Sequence, residues 1–247
     1  MKKFVFSCSL LILLAISASA QKTKPWTEWS EKDTDKVLND SGWGQTQTEG
    51  GSSDEPSQTS AITSTTAARE NQVRNAGAAA KAGESGDKKM PGTVHYRVRF
   101  LTAKPIRAAF VRKVELQGAP AEKVAQLKSF VDRDFGDYIV ITITMEGNDA
   151  KRMVPVAQGL TTADLNALRD VTYLERKDGK RVQLLDYRAP TQDGLGAKFV
   201  FPRTVEGKPF IEATSGEVKF AMEMGKAFKI SRRFKVADMM YDGRLEF

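Results

Sequence analysis

The chain has 247 residues, of which 40% are hydrophobic, and carries a net charge of +7 at pH 7. It contains one cysteine, Cys8, and one histidine, His95, which excludes a fold held by disulfides and a metal site built from several thiolate or imidazole ligands. The whole charge excess lies in residues 91–247, where the cations are dispersed rather than gathered in a stripe. We therefore predict no nucleic-acid partner, while an anionic or glycan surface stays open as a partner.

Residues 1–20 have the three regions of a cleavable secretory signal peptide. Lys2–Lys3 form the positive region, Phe4–Ile16 the apolar region, and Ala18–Ala20 the small-residue site that a signal peptidase reads. The apolar run is shorter than the roughly 20 residues of a spanning helix, and Cys8 precedes most of it, which disfavours both a membrane anchor and a lipoprotein. We predict export to the periplasm or beyond, with no stable membrane span and no thiol after cleavage.

Residues 21–43 hold all three tryptophans, which are the candidate binding or docking residues: Trp26, Trp29 and Trp43. Ser30 followed by Asp33 approximates a capping box and predicts a short helix from Glu31 to Asn39. A helix of that length is not stable alone in water, so it must dock on something. The tryptophans either dock onto the following domain, which has no tryptophan of its own, or they bind a partner such as a sugar ring or a membrane interface.

Residues 44–90 are dominated by Gly, Ser, Thr, Gln and Ala. Such a stretch buries too little apolar surface to offset its conformational entropy, so we predict a disordered linker. A linker of this length lets the tryptophan segment reach the domain or a separate partner, and a tethering role therefore stays open.

From residue 91 the pattern is that of a globular domain. Two runs flanking Asp178-Gly179 predict a hairpin, and residues 104–116 are ambiguous between helix and strand. Helices are predicted at 120–131 and in a short segment ending near 169, and strands at 93–101, 138–145, 171–176, 181–187, 197–201, 210–213, 217–224 and 228–236. We predict a β-rich α+β domain over 91–247, a two-sheet antiparallel sandwich of seven or eight strands with two or three short helices.

Both ends of this chain carry recognisable stretches. Near the start stand Trp26-Thr27-Glu28-Trp29 and Asp40-Ser41-Gly42-Trp43, and towards the end stand Phe199-Val200-Phe201-Pro202-Arg203 and the run from Phe234 to Gly243. Together they resemble exported proteins of soil-type bacteria, particularly acidobacterial ones. That family has no assigned activity, cofactor or catalytic residue, so the resemblance implies export and a single domain.

The sequence has no motif specific to one reaction. His95 stands without a Gly-x-Ser-x-Gly motif and is expected to face solvent on its strand. Asp132-Arg133-Asp134 and Asn148-Asp149 are too sparse for a calcium loop, and Gly194-Leu195-Gly196 lacks the lysine and helix of a phosphate loop. We predict no cofactor and no metal, and a non-enzymatic binding or envelope-associated protein. The alternative is a secreted hydrolase that acts on glycans through an Asp/Glu pair, so the question of enzyme activity stays open.

Overall fold

A computed structural model of the protein describes residues 24–50, 92–225 and 228–247. The predicted signal peptide (1–20) and residues 51–90 of the predicted linker lie outside these ranges. The described chain is strand-rich and mixed α+β with antiparallel sheets, which confirms the predicted fold class. Among the described helices, none is both long enough and apolar enough to cross a membrane.

Five α-helices are present in the described residues, four of them within 92–247, where two or three were predicted. In chain order they are α1 (Glu31–Asn39), α2 (Lys104–Leu116), α3 (Ala121–Val131), α4 (Ala150–Thr162) and α5 (Leu165–Arg169). Helix α1 has the predicted bounds and a complete capping box between Ser30 and Asp33. Helix α4 is not predicted from the sequence because Pro155 and Gly159 interrupt its helical pattern. The burial of Val156 and Leu160 offsets the unfavourable helix propensity of the proline and the glycine.

Thirteen strands are present in the described ranges. They are β1 (Gly44–Gly50), β2 (Thr93–Phe100), β3 (Tyr138–Gly147), β4 (Thr172–Arg176), β5 (Arg181–Gln183), β6 (Asp186–Arg188), β7 (Ala197–Pro202), β8 (Thr204–Val205), β9 (Lys208–Pro209), β10 (Glu217–Met224), β11 (Phe228–Lys235), β12 (Met240–Tyr241) and β13 (Arg244–Leu245). Five form a sheet in the order β1-β2-β3-β7-β6, four form a second sheet in the order β11-β10-β4-β5, and the other four form two short ribbons.

The two sheets pack face to face through aromatic side chains. Phe100 of β2 meets Phe234 of β11 with ring centroids 4.9 Å apart, and Phe199 of β7 meets Phe220 of β10 at 5.7 Å. Helices lie on the opposite face of the larger sheet. There, Arg99 of β2 lies 5.4 Å from the ring centroid of Phe110 in α2. The core therefore lies between the sheets, with a helical layer outside the larger one.

Two local strand predictions are also wrong. Residues 181–187 do not form one hairpin arm: β5 pairs with β4, whereas β6 belongs to the larger sheet, and buried Leu184 lies where the chain crosses between them. Residues 210–213 form no strand, since Ala213–Ser215 is a short 3-10 helix whose preceding residue, Glu212, donates its N–H to Ser215.

The predicted linker starts too early, because residues 44–50 form β1. This strand pairs with β2 at seven positions, from Gly44 opposite Arg99 to Gly50 opposite Thr93. Its polar sequence is compatible with an edge strand, because such a strand pairs with a neighbour on one side only and the neighbouring strand supplies the apolar surface. Since Gly50 and Thr93 are direct partners, the chain between them leaves and re-enters the sheet at one place. The tryptophan segment is therefore part of the sandwich and is not a separate module.

Candidate functional site

The three tryptophans lie against the domain. Trp29 and Trp43 are buried, with 8% and 9% of their surface exposed, and Trp26 is partly buried against the same core. The Trp29 indole Nε1 donates to the carbonyl of Lys24 at 3.0 Å, and the Trp43 Nε1 donates to the carbonyl of Glu246 at 2.8 Å. This is the arrangement that the docking interpretation expects, and it leaves no exposed tryptophan platform for a sugar ring.

Arginine side chains hold this segment in place. Arg112 of α2 donates to the carbonyl of Trp29 at 2.8 Å, and Arg99 of β2 donates to the carbonyl of Leu38 at 2.8 Å and to the side chain of Asn39 at 2.8 Å. The carbonyls at the end of α1 lack helical partners, so the Arg99 guanidinium satisfies one of them and interacts favourably with the helix dipole.

The other polar groups considered from sequence serve structure. His95 Nδ1 lies 2.9 Å from the hydroxyl of Thr48 on the neighbouring strand. Asn148 accepts the N–H of Thr93 at 2.7 Å, and Asp149 accepts the N–H of Arg152 at the start of α4. In the described ranges no group of three or more His, Cys, Asp or Glu side chains is arranged to hold a metal ion.

A cleft of about 430 Å³ opens at one end of the inner strands of the larger sheet. It lies beside the end of β2, the start of α2, the loop between α3 and β3, and the end of β7. We call it the basic cleft, defined by its lining residues: Thr102, Lys104, Arg107, Asp132–Gly136, Arg203 and Leu245–Phe247. Its volume lies in the range of about 300–1,000 Å³ that is typical of small-molecule sites.

Arg107, in the second turn of α2, is the buried cation of the basic cleft, with 5% of its surface exposed. Its Nε donates to the carbonyl of Val131 at 3.0 Å, and its Nη1 donates to the carbonyls of Leu101 and Thr102. Its Nη2 makes no hydrogen bond to any residue in the described ranges, although Arg107 lines the cleft. Burial lowers the pKa of this guanidinium, and the nearby carboxylate of Glu246 partly opposes that shift.

The three carboxylates of the cleft are engaged in local contacts. Asp132 pairs with the ammonium of Lys104 at 2.7 Å, and Asp134 accepts the N–H of Gly136 at 2.8 Å. Glu246 accepts the N–H of Lys104 at 3.2 Å, at the start of α2. None of the three forms a short ion pair with Arg107 among the described residues, although each of them acts on this guanidinium from a distance and raises its pKa.

Two further arginines border the cleft next to aromatic rings. Arg133 is exposed and lies 5.4 Å from the ring centroid of Phe135, whose centroid is also 5.2 Å from Arg107. Arg203 lies 4.6 Å from the ring centroid of Phe247 and donates to a main-chain oxygen of that residue at 2.7 Å. Burial lowers the pKa of Arg203 as well. The cleft therefore combines cationic donors with aromatic surface.

The basic cleft is not predicted from the sequence. Asp132-Arg133-Asp134 is too sparse for a calcium loop, and Arg107 lies in a segment that is ambiguous between helix and strand. The signal in the sequence is Arg107, a charged residue among the apolar positions of residues 104–116. Its position on the buried face can be recognised only if that segment is assigned as a helix.

No protein-family model matches the chain, and no curated protein is significantly similar to it. The chain is similar to a solved structure from Burkholderia pseudomallei K96243, described as a novel protein of unknown function, at 10% sequence identity and a TM-score of 0.37. That similarity covers 67% of this chain and 84% of the other.

Proposed function

We propose that this chain is an exported, non-enzymatic protein that binds an anionic group in the basic cleft. The observation that carries the proposal is Arg107, a buried guanidinium that lines the cleft with its Nη2 unpaired among the described residues. Removing an ion from water is unfavourable by several kcal/mol, roughly, even after the surrounding protein relaxes. An anion bound at Nη2 would offset part of that penalty through a charge-assisted hydrogen bond.

The surroundings of Arg107 favour the same ligand. Lys104, Arg133 and Arg203 line the cleft with it, so an anion entering there meets four cations and three carboxylates. Residues 91–247 carry the whole net charge of +7, which favours the approach of an anionic ligand or surface. Export is supported by the features of residues 1–20 and by the resemblance to exported bacterial proteins.

Binding of simple anions to an Arg133→Ala variant tests this function. Arg133 is exposed, so its removal leaves the core intact and deletes one donor of the cleft. We expect acetate, sulfate or phosphate, titrated at constant ionic strength and followed by NMR amide shifts, to perturb residues around the cleft. The variant should bind these anions several-fold more weakly than the parent protein.

Arg188→Ala is the matched control, because Arg188 is an exposed arginine on β6 that pairs with Asp186 at 2.9 Å, away from the cleft. It should leave anion binding unchanged. The proposed function is wrong if none of the three anions causes saturable shifts at the cleft, or if the two variants bind them equally.

The alternative of a glycan hydrolase requires a carboxyl group with a raised pKa as general acid. The described carboxyl groups with a resolved pKa shift all move downwards, and none lines the cleft. Hydrogen bonds from Ser30 lower the pKa of Asp33, and the hydrogen bond from Lys219 lowers that of Glu175. For Asp193, burial would raise the pKa, but hydrogen bonds led by the one from Lys198 bring it down. Release of reducing ends from acidic or neutral glycans would favour the hydrolase and contradict a purely binding role.

A further inference from the structure

We infer that the ligand of the basic cleft is the carboxylate of an acidic sugar, as in a uronate-containing glycan, and not a phosphate; this inference rests on the proposed function. The first support is charge. The cleft is lined by four cations, Lys104, Arg107, Arg133 and Arg203, and by three carboxylates, Asp132, Asp134 and Glu246. The cationic side chains exceed the acidic ones by only one, so a phosphate dianion would place its second charge near three carboxylates, whereas a monoanion would not.

The second support is the geometry of the donors. Arg107 is held by three backbone carbonyls, so its guanidinium plane is fixed and its Nη2 is left as the unpaired edge. Because Nε and Nη1 already donate to carbonyls, a carboxylate oxygen accepts from Nη2 alone, and little side-chain entropy is lost because the arginine is already immobile. Arg133 is exposed on the loop between α3 and β3 and can supply a second donor to the same group or to a ring oxygen.

The third support is the mixture of acceptors and apolar surface. Sugar hydroxyl groups need acceptors as well as donors, and the carboxylates of Asp132, Asp134 and Glu246 provide them at the edge of the cleft. Phe135 and Leu245 are partly exposed and add a small apolar surface against which the C–H groups of a pyranose ring can pack. A phosphate ion has no C–H groups that could use the apolar surface.

The test compares three probes by calorimetry at constant ionic strength: methyl β-glucuronide, methyl β-glucoside and inorganic phosphate. The two glycosides differ only in whether C6 is a carboxylate or a hydroxymethyl group. We expect the glucuronide to bind at least tenfold more tightly than the glucoside and more tightly than phosphate. Arg133→Ala should weaken glucuronide binding several-fold.

An Asp134→Ala variant gives a second readout. Removing this carboxylate deletes a hydroxyl acceptor and a source of repulsion, so the ratio of glucuronide affinity to phosphate affinity should fall. Glu223→Ala is the control, since Glu223 is exposed on β10 and forms a long pair with Lys229 at 3.5 Å; it should leave the ratio unchanged.

The two levels of the proposal fail differently. Phosphate binding as tight as, or tighter than, glucuronide binding overturns the acidic-sugar inference and leaves the anion site standing. Equal binding of glucuronide and glucoside overturns the inference because the carboxylate then plays no part. No binding of any charged probe at the cleft overturns both.

Discussion

Buried and half-buried arginines in this protein donate mainly to backbone carbonyls. Six of them do so among the described residues: Arg99, Arg107, Arg112, Arg176, Arg203 and Arg232. The net positive charge predicted from the sequence can serve attraction to an anionic partner or solubility. A third use is structural, because these guanidinium groups donate to main-chain oxygens at helix ends, strand ends and loops.

Arg99 shows the electrostatic consequence of this arrangement. It is 4% exposed, and burial lowers its pKa to about 10, the repulsion from neighbouring Arg97 acting in the same direction. The residue stays charged at neutral pH, and its hydrogen bonds to Leu38, Asn39 and Thr144 replace the water it has lost. It therefore joins α1 to the larger sheet through a cation without a carboxylate partner among the described residues.

Tyr187 on β6 yields a pH prediction at the residue scale. Its hydroxyl donates to the carbonyl of Leu160 in α4, and burial raises its pKa to about 12. The unfolded side chain ionises near pH 10, so the folded state holds the proton more tightly. The stability contributed by this group is complete below pH 10 and is lost as the pH rises towards 12.

We expect Tyr187→Phe to lose about 1 kcal/mol at pH 7, the net value of a buried hydrogen bond. The difference in unfolding free energy between parent and variant should then shrink between pH 10 and 12, measured by urea denaturation at each pH. Tyr138→Phe, at an exposed tyrosine, is the control and should follow the parent. A difference that stays constant to pH 12 would contradict the raised pKa of Tyr187.

At the scale of elements, α1 and β1 join through a turn that requires close backbone contact. A Cβ atom on Gly42 would lie 2.2 Å from the carbonyl oxygen of Asp238, and one on Gly44 would lie 2.3 Å from that of Leu38. The two glycines allow the chain to bring Trp43 between them into the core, where its ring meets Tyr241 edge-on at 6.2 Å. This explains why the run Asp40-Ser41-Gly42-Trp43 combines a tryptophan with small residues.

The capping box of α1 gives a prediction for this element. Ser30 Oγ accepts the N–H of Asp33 at 3.2 Å, and the Asp33 carboxylate accepts the N–H of Ser30 at 3.0 Å. Ser30→Ala should lower the free energy of unfolding by about 1 kcal/mol because the first turn loses a capping partner. Ser129→Ala, an exposed serine in the last turn of α3, is the control. Equal effects of the two changes on the urea midpoint would show that the capping box contributes nothing to global stability.

At the scale of the whole molecule, the sandwich is closed along the β1–β11 side by side chains. The amide of Gln47 on β1 donates to the carbonyl of Lys229 at 2.6 Å and accepts the N–H of Ser231 at 3.1 Å, so it occupies hydrogen-bonding groups at the free edge of β11. Arg232 donates to the carbonyl of Thr46 beside it. An edge strand covered in this way is less available for pairing with another chain.

The register of β1 and β2 yields a prediction for the whole fold. Since Gly50 lies opposite Thr93, replacing residues 51–92 by a two-residue Asn-Gly turn should preserve both sheets. The connection then becomes shorter by about four halvings of its length. The smaller entropy cost of closing it should raise the free energy of unfolding by up to ~2 kcal/mol. Near-UV circular dichroism and urea unfolding provide the measurements.

The companion variant removes residues 24–50 and keeps 92–247. It loses β1, α1 and two buried tryptophans, and it exposes the edge of β2, so it should unfold without a single cooperative transition. If it instead unfolds cooperatively with the parent midpoint, the tryptophan segment is dispensable and the one-unit description of the fold is wrong.

The local patterns were sufficient for several elements. The alternation at 93–100 and 217–224, the capping box before α1, and the turn at Asp178-Gly179 each depend on neighbours within a few residues, and each is present in the structure. The docking of Trp29 and Trp43 followed from composition, because a domain without its own tryptophan had apolar surface to cover. The same reasoning failed at 44–50, since a polar edge strand has no apolar alternation to reveal it.

The sequence by itself determined the α+β class, the antiparallel sheets and the helix that carries the tryptophan segment, because period, capping and turn chemistry are local properties. Only the tertiary structure decided that residues 44–50 belong to the larger sheet, and that Arg107, Arg133 and Arg203 meet at one cleft. The start of α2, the end of α3 and the end of β7 bring these arginines together across about a hundred residues of chain. Such a meeting depends on long-range packing, which no local pattern of residues encodes.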